Sequence, residues 1–145
     1  MRERQATLSV AESCTGGLLA ERITSVAGSS DYFTGGFLVY TNRLKTALAG
    51  VDPDLLERHG AVSEPVAEAM ALGAKARTES TYTLSVTGVA GPGGGTEAKP
   101  AGTVIIGLAG PDGCQARRFR FVGNRTRVRT LAAQYALDLL RRALG

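Results

Sequence analysis

Apolar residues recur along the chain with two spacings, one typical of strands and one typical of helices. Short β-prone runs predict strands over residues 6–10, 33–40, 82–87, 103–108 and 115–121. Helical spacing predicts helices over residues 18–26, 42–48, 52–59, 63–77 and 125–144. Strands alternate with helices until a hairpin ends the strand series. The pattern therefore predicts an α/β protein, a three-layer α/β/α sandwich with a mixed, mostly parallel sheet of about five strands.

Local signals support several of these boundaries. The segment Ser63-Glu64-Pro65 offers a capping hydroxyl, an acid and a proline in the first turn of a helix. The run Thr103 to Leu108 is continuously apolar, which is typical of a strand covered on both faces. The last helix carries one apolar stripe, made of Val128, Leu131, Ala132, Tyr135 and Leu139.

The length of 145 residues indicates one domain over residues 1–145. The chain is 43% apolar and 21% charged, as expected for an ordinary globular domain. No apolar run is long enough to cross a membrane, and no export signal follows Met1. We therefore expect a cytoplasmic protein without a membrane partner.

Few residues are available for metal or histidine chemistry. The two cysteines, Cys14 and Cys114, lie far apart in the sequence, so we expect two buried free thiols. With one histidine, His59, the chain cannot assemble a structural zinc site. His59 comes just before Gly60 at a predicted helix end, where an imidazole usually interacts with the helix dipole.

The formal net charge of +4 comes almost entirely from arginine. Six of the 14 arginines fall between Arg117 and Arg129. Such a cluster can bind phosphate or nucleic acid, or it can be a solvated surface. Because no aromatic stacking residues are interleaved with these arginines, we expect contact with a small anion rather than with an extended nucleic acid.

Three segments could carry chemistry. The turn from Glu12 to Gly17 joins a strand to a helix, so its backbone N–H groups could bind an anion, or it could be a plain cap made by Ser13 or Thr15. The Gly28-Ser29-Ser30 segment precedes Tyr40 and Lys45, and a Ser–Lys pair can replace a histidine as base. The glycine-rich loop over residues 88–98 could cradle a phosphate, roof a pocket or be a flexible connection.

Taken in order, six blocks resemble the CinA C-terminal domain family, which includes nicotinamide mononucleotide deamidases (nicotinamide-nucleotide amidases). The blocks are Ala11 to Gly17, Gly28 to Ser30 with Phe33, Tyr40-x-Asn42-x-x-Lys45, Gly60 to Val66, Thr87 to Gly94, and Lys99-Pro100-x-Gly102-Thr103-Val104. The resemblance covers the chain from about residue 6 to its end.

The resemblance implies hydrolysis of nicotinamide mononucleotide to nicotinate mononucleotide and ammonia, a step of pyridine nucleotide recycling, without a metal or another cofactor. Carried over by position, Ser30 matches the nucleophile, Lys45 the general base and Tyr40 the assisting hydroxyl. The candidate substrate-binding residues are Ser13, Thr15, Gly16, Thr87, Gly88 and Arg125.

The resemblance also implies a homodimer and raises two departures. Relatives usually carry a helix before the first strand, and many carry an N-terminal molybdopterin-binding-like domain, and we expect this chain to lack both. Two other functions stay open: a nucleotide-binding or regulatory domain that turns over weakly, and a nucleic-acid-associated competence or damage-response factor. Ammonia release from nicotinamide mononucleotide separates the first of these from the amidase, and salt-dependent oligonucleotide binding identifies the second.

Overall fold

The computed structural model describes residues 1–145 and forms one five-stranded sheet between two layers of helices. The strands are β1 (Leu8–Glu12), β2 (Phe33–Leu38), β3 (Tyr82–Gly88), β4 (Thr103–Gly110) and β5 (Gly113–Arg120). The helices are α1 (Leu18–Thr24), α2 (Asn42–Ala49), α3 (Pro53–His59), α4 (Glu64–Thr78) and α5 (Arg125–Leu144). Short 3-10 turns at Arg2–Arg4 and Ser29–Asp31 precede β1 and β2.

The sheet has the order β2-β1-β3-β4-β5. Strand β1 is parallel to both β2 and β3, whereas β3–β4 and β4–β5 are antiparallel. The predicted three-layer sandwich with a five-stranded mixed sheet is confirmed. The sheet is less parallel than we expected, because the hairpin and its antiparallel pairing with β3 account for two of the four pairs.

Each face of the sheet has its own apolar core. On one face, Leu8 and Val10 of β1 pack with Leu19 and Ile23 of α1 and with the buried stripe of α5. On the other face, α2, α3 and α4 cover the sheet through a second cluster, made of Ala11, Val39, Ala49, Val51, Leu56, Val66, Met70 and Ala74. Of the predicted α5 stripe, Tyr135 lies at the margin, 43% exposed, and packs edge-on against Phe119 and Phe121.

The helix α2, which carries Lys45, lies very close to α4. A Cβ atom added to Gly73 in α4 would lie 1.6 Å from the Ala49 carbonyl oxygen at the end of α2. Only glycine permits this approach. Thr41 starts α2, since its Oγ1 accepts a hydrogen bond from the Leu44 amide at 3.3 Å.

Most helix boundaries follow the sequence signals. Asp52 caps α3 by accepting from the Asp54 amide, and Asn124 caps α5 by accepting from the Arg127 amide. Ser63 behaves differently from our expectation, because its hydroxyl makes no cap and donates instead to the Gly60 carbonyl at 2.8 Å. None of the helices combines the length and the apolar character that crossing a membrane requires.

Candidate active site

A cavity of about 310 Å³ opens where β1, β2 and β3 end. Parallel strands present their carboxyl ends at one edge of a sheet, which is where α/β folds usually bind ligands. The strand ends, α2 and the glycine-rich loop all contribute to it. Its lining consists of Ser13, Cys14, Tyr40, Asn42, Lys45, Ala61, Val62, Thr87, Gly88, Val89, Ala90, Gly91, Gly93, Gly94 and Arg125.

Lys45 is the buried cationic side chain of this cavity, with 2% of its surface exposed. Its Nζ donates to Ser13 Oγ at 3.1 Å, to the Val39 carbonyl at 3.1 Å and to the Tyr40 carbonyl at 3.3 Å. No carboxylate pairs with it. Burial lowers the pKa of Lys45 below its usual 10.5, and the nearby Cys14 acts weakly in the opposite direction. Burial therefore makes the ammonium form of Lys45 less favourable than that of an exposed lysine, and it places the amine beside a serine hydroxyl.

Cys14 lines the same cavity but is poorly suited to act as a nucleophile. Burial raises the pKa of its thiol to about 12, so the thiolate is scarce at neutral pH. Both cysteines are free, as expected, although Cys114 is only half-buried. Its pKa is also raised by burial, to about 11.

Glu12 fixes the turn that carries Ser13. Its buried carboxylate accepts hydrogen bonds from the backbone N–H groups of Gly17 at 3.1 Å, Leu19 at 3.0 Å and Ala20 at 2.8 Å. The start of α1 is therefore neutralised by the chain's own carboxylate and is not free to bind an anion. Of the alternatives that the sequence left open for this turn, the plain cap by Ser13 or Thr15 is wrong, because the N–H groups at the start of α1 bond to the Glu12 carboxylate. The binding of an anion by the rest of the turn stays a prediction.

The glycine-rich loop forms the roof of the cavity and is held in place by one side chain each from α5 and β5 and by Lys99 at the loop's own end. The Arg125 guanidinium donates to the Gly91 carbonyl at 3.0 Å and to the Tyr40 hydroxyl at 3.2 Å. Lys99 Nζ donates to the His59 carbonyl at 2.7 Å, and Arg118 donates to the Ala98 carbonyl. The loop thus roofs the cavity, one of the possibilities that the sequence allowed.

Six of the nine predicted site residues come together around this cavity: Ser13, Tyr40, Lys45, Thr87, Gly88 and Arg125. Thr87 is almost fully buried, and its hydroxyl donates to the Ala61 carbonyl at 2.9 Å. Because that bond crosses from β3 to the segment before α4, Thr87 holds one wall of the cavity in position.

Ser30 does not join them within one chain. It lies in the 3-10 turn before β2, whereas Tyr40 and Lys45 come after that strand. The six residues of β2 span about 20 Å, so Ser30 lies near the amino end of this strand and Lys45 lies beyond its carboxyl end. The pairing of Ser30 with Lys45 that the resemblance implies is therefore not formed within one chain.

Thr15 and Gly16 also lie outside the cavity lining. Thr15 is completely buried, and its hydroxyl has no hydrogen-bond partner. Its carbonyl accepts from Arg129 Nη2 at 2.8 Å, and the Cys14 carbonyl accepts from Arg129 Nε at 3.1 Å. These contacts tie the turn to α5, and the substrate-binding role expected for Thr15 and Gly16 stays a prediction.

Sequence reasoning missed two residues that shape the site. Glu12 lies in a turn that the sequence analysis singled out, and an acid five residues before Gly17 could have indicated a carboxylate that caps the start of α1. Arg129 was noted only as the end of the arginine cluster, since its contacts with the Cys14 and Thr15 carbonyls depend on how α5 packs against the turn. No group of three histidine, cysteine, aspartate or glutamate side chains lies close enough together to hold a metal ion.

Comparison with known proteins places this geometry in a family. The sequence profile of the CinA C-terminal domain matches residues 1–144. The chain belongs to the CinA C-terminal domain family. Its sequence is 58% identical over 146 residues to a CinA-like protein of Cyanothece and 53% identical over 144 residues to one of Solibacter usitatus. Each match covers 99% of this chain but 35% of the relative, so the chain spans about a third of the length of these CinA-like proteins.

Solved CinA-superfamily structures share the whole fold. A competence/damage-inducible protein from Agrobacterium tumefaciens is 38% identical, with a TM-score of 0.96 over 99% of this chain and 88% of that one. A CinA superfamily protein from Escherichia coli is 35% identical, with a TM-score of 0.94 over 97% of this chain and 82% of that one. The three-layer architecture that positions the cavity is therefore that of a CinA domain.

Proposed function

We propose that the chain hydrolyses the carboxamide of nicotinamide mononucleotide, giving nicotinate mononucleotide and ammonia, with Lys45 as the general base. The observation that carries the proposal is the contact between Lys45 Nζ and Ser13 Oγ inside the cavity. A lysine can accept a proton near neutral pH only if its surroundings disfavour the ammonium ion, and the burial of Lys45 supplies that condition. The resemblance to the deamidases of the family supplies the substrate.

The proposed proton path follows the hydrogen bond between Lys45 and Ser13. The oxygen that attacks the amide carbon, either of a serine hydroxyl or of a water hydrogen-bonded to Ser13 Oγ, gives its proton to Nζ of Lys45 in its neutral form. When the carbon–nitrogen bond breaks, that proton goes to the leaving nitrogen, which departs as ammonia. Where a serine is the attacking group, water then hydrolyses the ester that remains, giving the carboxylic acid and restoring the hydroxyl. A base that returns its proton to the leaving group makes a poor leaving group a better one.

The cavity offers suitable contacts for the rest of the substrate. The backbone N–H groups of Gly93 and Gly94 have no acceptor within the chain and lie at the cavity wall, so they are available to an oxyanion or a phosphate oxygen. Arg125 is the guanidinium on this wall and supplies a positive charge for the phosphate. A volume of about 310 Å³ lies within the range of small-molecule sites.

The test is ammonia release from nicotinamide mononucleotide by the wild type, Lys45→Met and Ser13→Ala, with Lys75→Met as the matched control. Lys75 is a half-exposed lysine of α4 without a side-chain hydrogen bond. We expect a loss of at least about 100-fold in kcat for Lys45→Met, the range for removal of a general base, and no more than about twofold for Lys75→Met.

Two outcomes would refute the proposal. Turnover by Lys45→Met close to that of the folded wild type would exclude Lys45 as the base. Saturable binding of nicotinamide mononucleotide by the wild type, without ammonia release, would instead favour the nucleotide-binding or regulatory function, and isothermal titration calorimetry would measure that binding.

A further inference from the structure

The middle of the glycine-rich loop is tied to the rest of the protein by a single hydrogen bond. Over residues 90–95 no backbone N–H group has an acceptor, and the one carbonyl that accepts is that of Gly91, from Arg125 Nη1 at 3.0 Å. Both flanks are fixed by backbone hydrogen bonds, at Val89 and at Thr96. Residues 90–95, the roof segment, therefore depend on Arg125 for their position over the cavity.

The composition of the roof segment allows it to move. Four of its six residues are glycine, and residues 92–95 are exposed. Glycine restricts the backbone least, so a segment rich in glycine loses much conformational entropy when it is fixed. A contact that fixes Arg125 therefore shifts the roof segment toward the position in which it covers the cavity.

Arg125 is able to bind an oxyanion without losing its present contacts. A guanidinium carries more N–H donors than the two that Arg125 uses, one on Nη1 and one on Nη2. No carboxylate pairs with this side chain, and the residue is exposed and lines the cavity. Its remaining N–H groups can donate to oxygens of a phosphate or of a similar anion.

Tyr40 links Arg125 to Lys45. The Tyr40 hydroxyl accepts from Arg125 Nη2 at 3.2 Å, and the Tyr40 carbonyl accepts from Lys45 Nζ at 3.3 Å. The Tyr40 side chain is 58% exposed, so its hydrogen bond to Arg125 is a main determinant of its orientation. An anion that fixes the guanidinium therefore also fixes the phenol beside the amine that takes the proton.

We propose that an oxyanion bound by Arg125 activates the site by fixing the roof segment and Tyr40 over the substrate. The inference rests on the proposed amidase function and concerns how the phosphate of the substrate is used. Binding energy from a part of the substrate that does not react can arrange the groups around the part that does, and it then appears in kcat. The phosphate of nicotinamide mononucleotide should therefore raise kcat, and an oxyanion that is not attached to the substrate should replace it.

Nicotinamide riboside, which lacks the phosphate, is the substrate for the test, with inorganic phosphite as the separate oxyanion at constant ionic strength. The kcat of the riboside should be at least about tenfold lower than that of the mononucleotide, and millimolar phosphite should raise its kcat/KM at least about tenfold. A phosphate that contributed only to binding would change KM alone. Phosphite would then inhibit turnover of the mononucleotide without activating that of the riboside, and this result would overturn the proposal.

Two arginines of α5 provide the variant and its matched control. Arg125→Met removes the anion contact and both hydrogen bonds, so phosphite should no longer activate the riboside reaction. Arg127→Met changes an exposed arginine whose side chain makes no hydrogen bond, and it should keep the activation. Activation that survives in Arg125→Met, or that is lost equally in Arg127→Met, would overturn the assignment to Arg125.

Amide signals in nuclear magnetic resonance spectra test the contact without turnover. When isotopically labelled protein is titrated with phosphite alone, the amide signals of Gly91, Gly93 and Gly94 should shift and their hydrogen exchange should slow, in the wild type but not in Arg125→Met. Unchanged signals in the wild type at the highest phosphite concentration of the activity assay would overturn the coupling. If the wild type releases no ammonia from the mononucleotide, the proposed function fails, and this titration still decides whether an oxyanion at Arg125 fixes the roof segment.

Discussion

Removing the carboxylate of Glu12 should destabilise the protein more than removing any exposed acid. The side chain is 1% exposed and accepts three backbone N–H groups at the start of α1. Glu12→Ala would leave these donors without a partner beneath the turn. Hydrogen bonds to a charged acceptor contribute about 1.5–3 kcal/mol each, and water reaching the emptied space would satisfy part of the loss. We therefore expect a decrease of about 4 kcal/mol in the free energy of unfolding.

Such a decrease is large beside the total of about 5–15 kcal/mol that stabilises a domain of this kind. Urea denaturation followed by circular dichroism measures it, and Tm should fall by roughly 10 °C. Glu12→Gln, which keeps one carbonyl oxygen as acceptor, should lose about half as much. Glu21→Ala is the matched control, since it removes an exposed acid from the same helix.

A decrease of less than about 1 kcal/mol in the free energy of unfolding of Glu12→Ala would refute the reasoning, because three buried N–H groups without an acceptor should cost more than that. An equal loss in Glu21→Ala would do the same, since the effect would then come from charge at the helix start and not from the three hydrogen bonds. The Ser13→Ala variant should be much more stable than Glu12→Ala, which separates the support of the turn from its chemistry.

Two further predictions concern Lys45 and the helix that carries it. Burial lowers the pKa of Lys45 in the folded state, so between that pKa and 10.5 the unfolded chain binds more protons than the folded one. The free energy of unfolding of the wild type should therefore rise with pH across this interval. That of Lys45→Met should not rise, because the titrating amine is absent. Parallel stability curves for the two proteins up to pH 10.5 would exclude the shifted pKa. Gly73→Ala should destabilise the fold by about 2 kcal/mol or more, because the added Cβ would lie 1.6 Å from the Ala49 carbonyl oxygen. In an open helix the same substitution would instead stabilise by roughly 1 kcal/mol. A thermal melt that is unchanged or improved would show that α2 can move away from α4 at little cost.

The elements of the fold were predictable because apolar spacing and helix caps act locally. The predicted strand over residues 103–108 lies within β4, and Asp52 and Gly60 bound α3 where the signals indicated. The burial of Lys45 was not predictable in the same way. It depends on the contact of α2 with α4 at Gly73, between residues far apart in the sequence.

The position of Ser30 shows why proximity in sequence misled us. Ser30, Tyr40 and Lys45 fall within 16 consecutive residues, and a motif read along the chain places them in one site. An extended strand separates its two ends by more than about 3 Å per residue, so β2 moves Ser30 away from Lys45 even though it is close in sequence. Ser13, much farther away in sequence, reaches Lys45 because β1 and β2 are parallel and end at the same edge.

The polarity of β2 therefore decides which residues can cooperate. Within one chain, the parallel pairing of β1 and β2 gathers the residues beyond the carboxyl ends of the strands, namely Ser13, Tyr40 and Lys45. Residues that precede β2, including Ser30, lie beyond the other end of the strand and stay apart from that group within the chain.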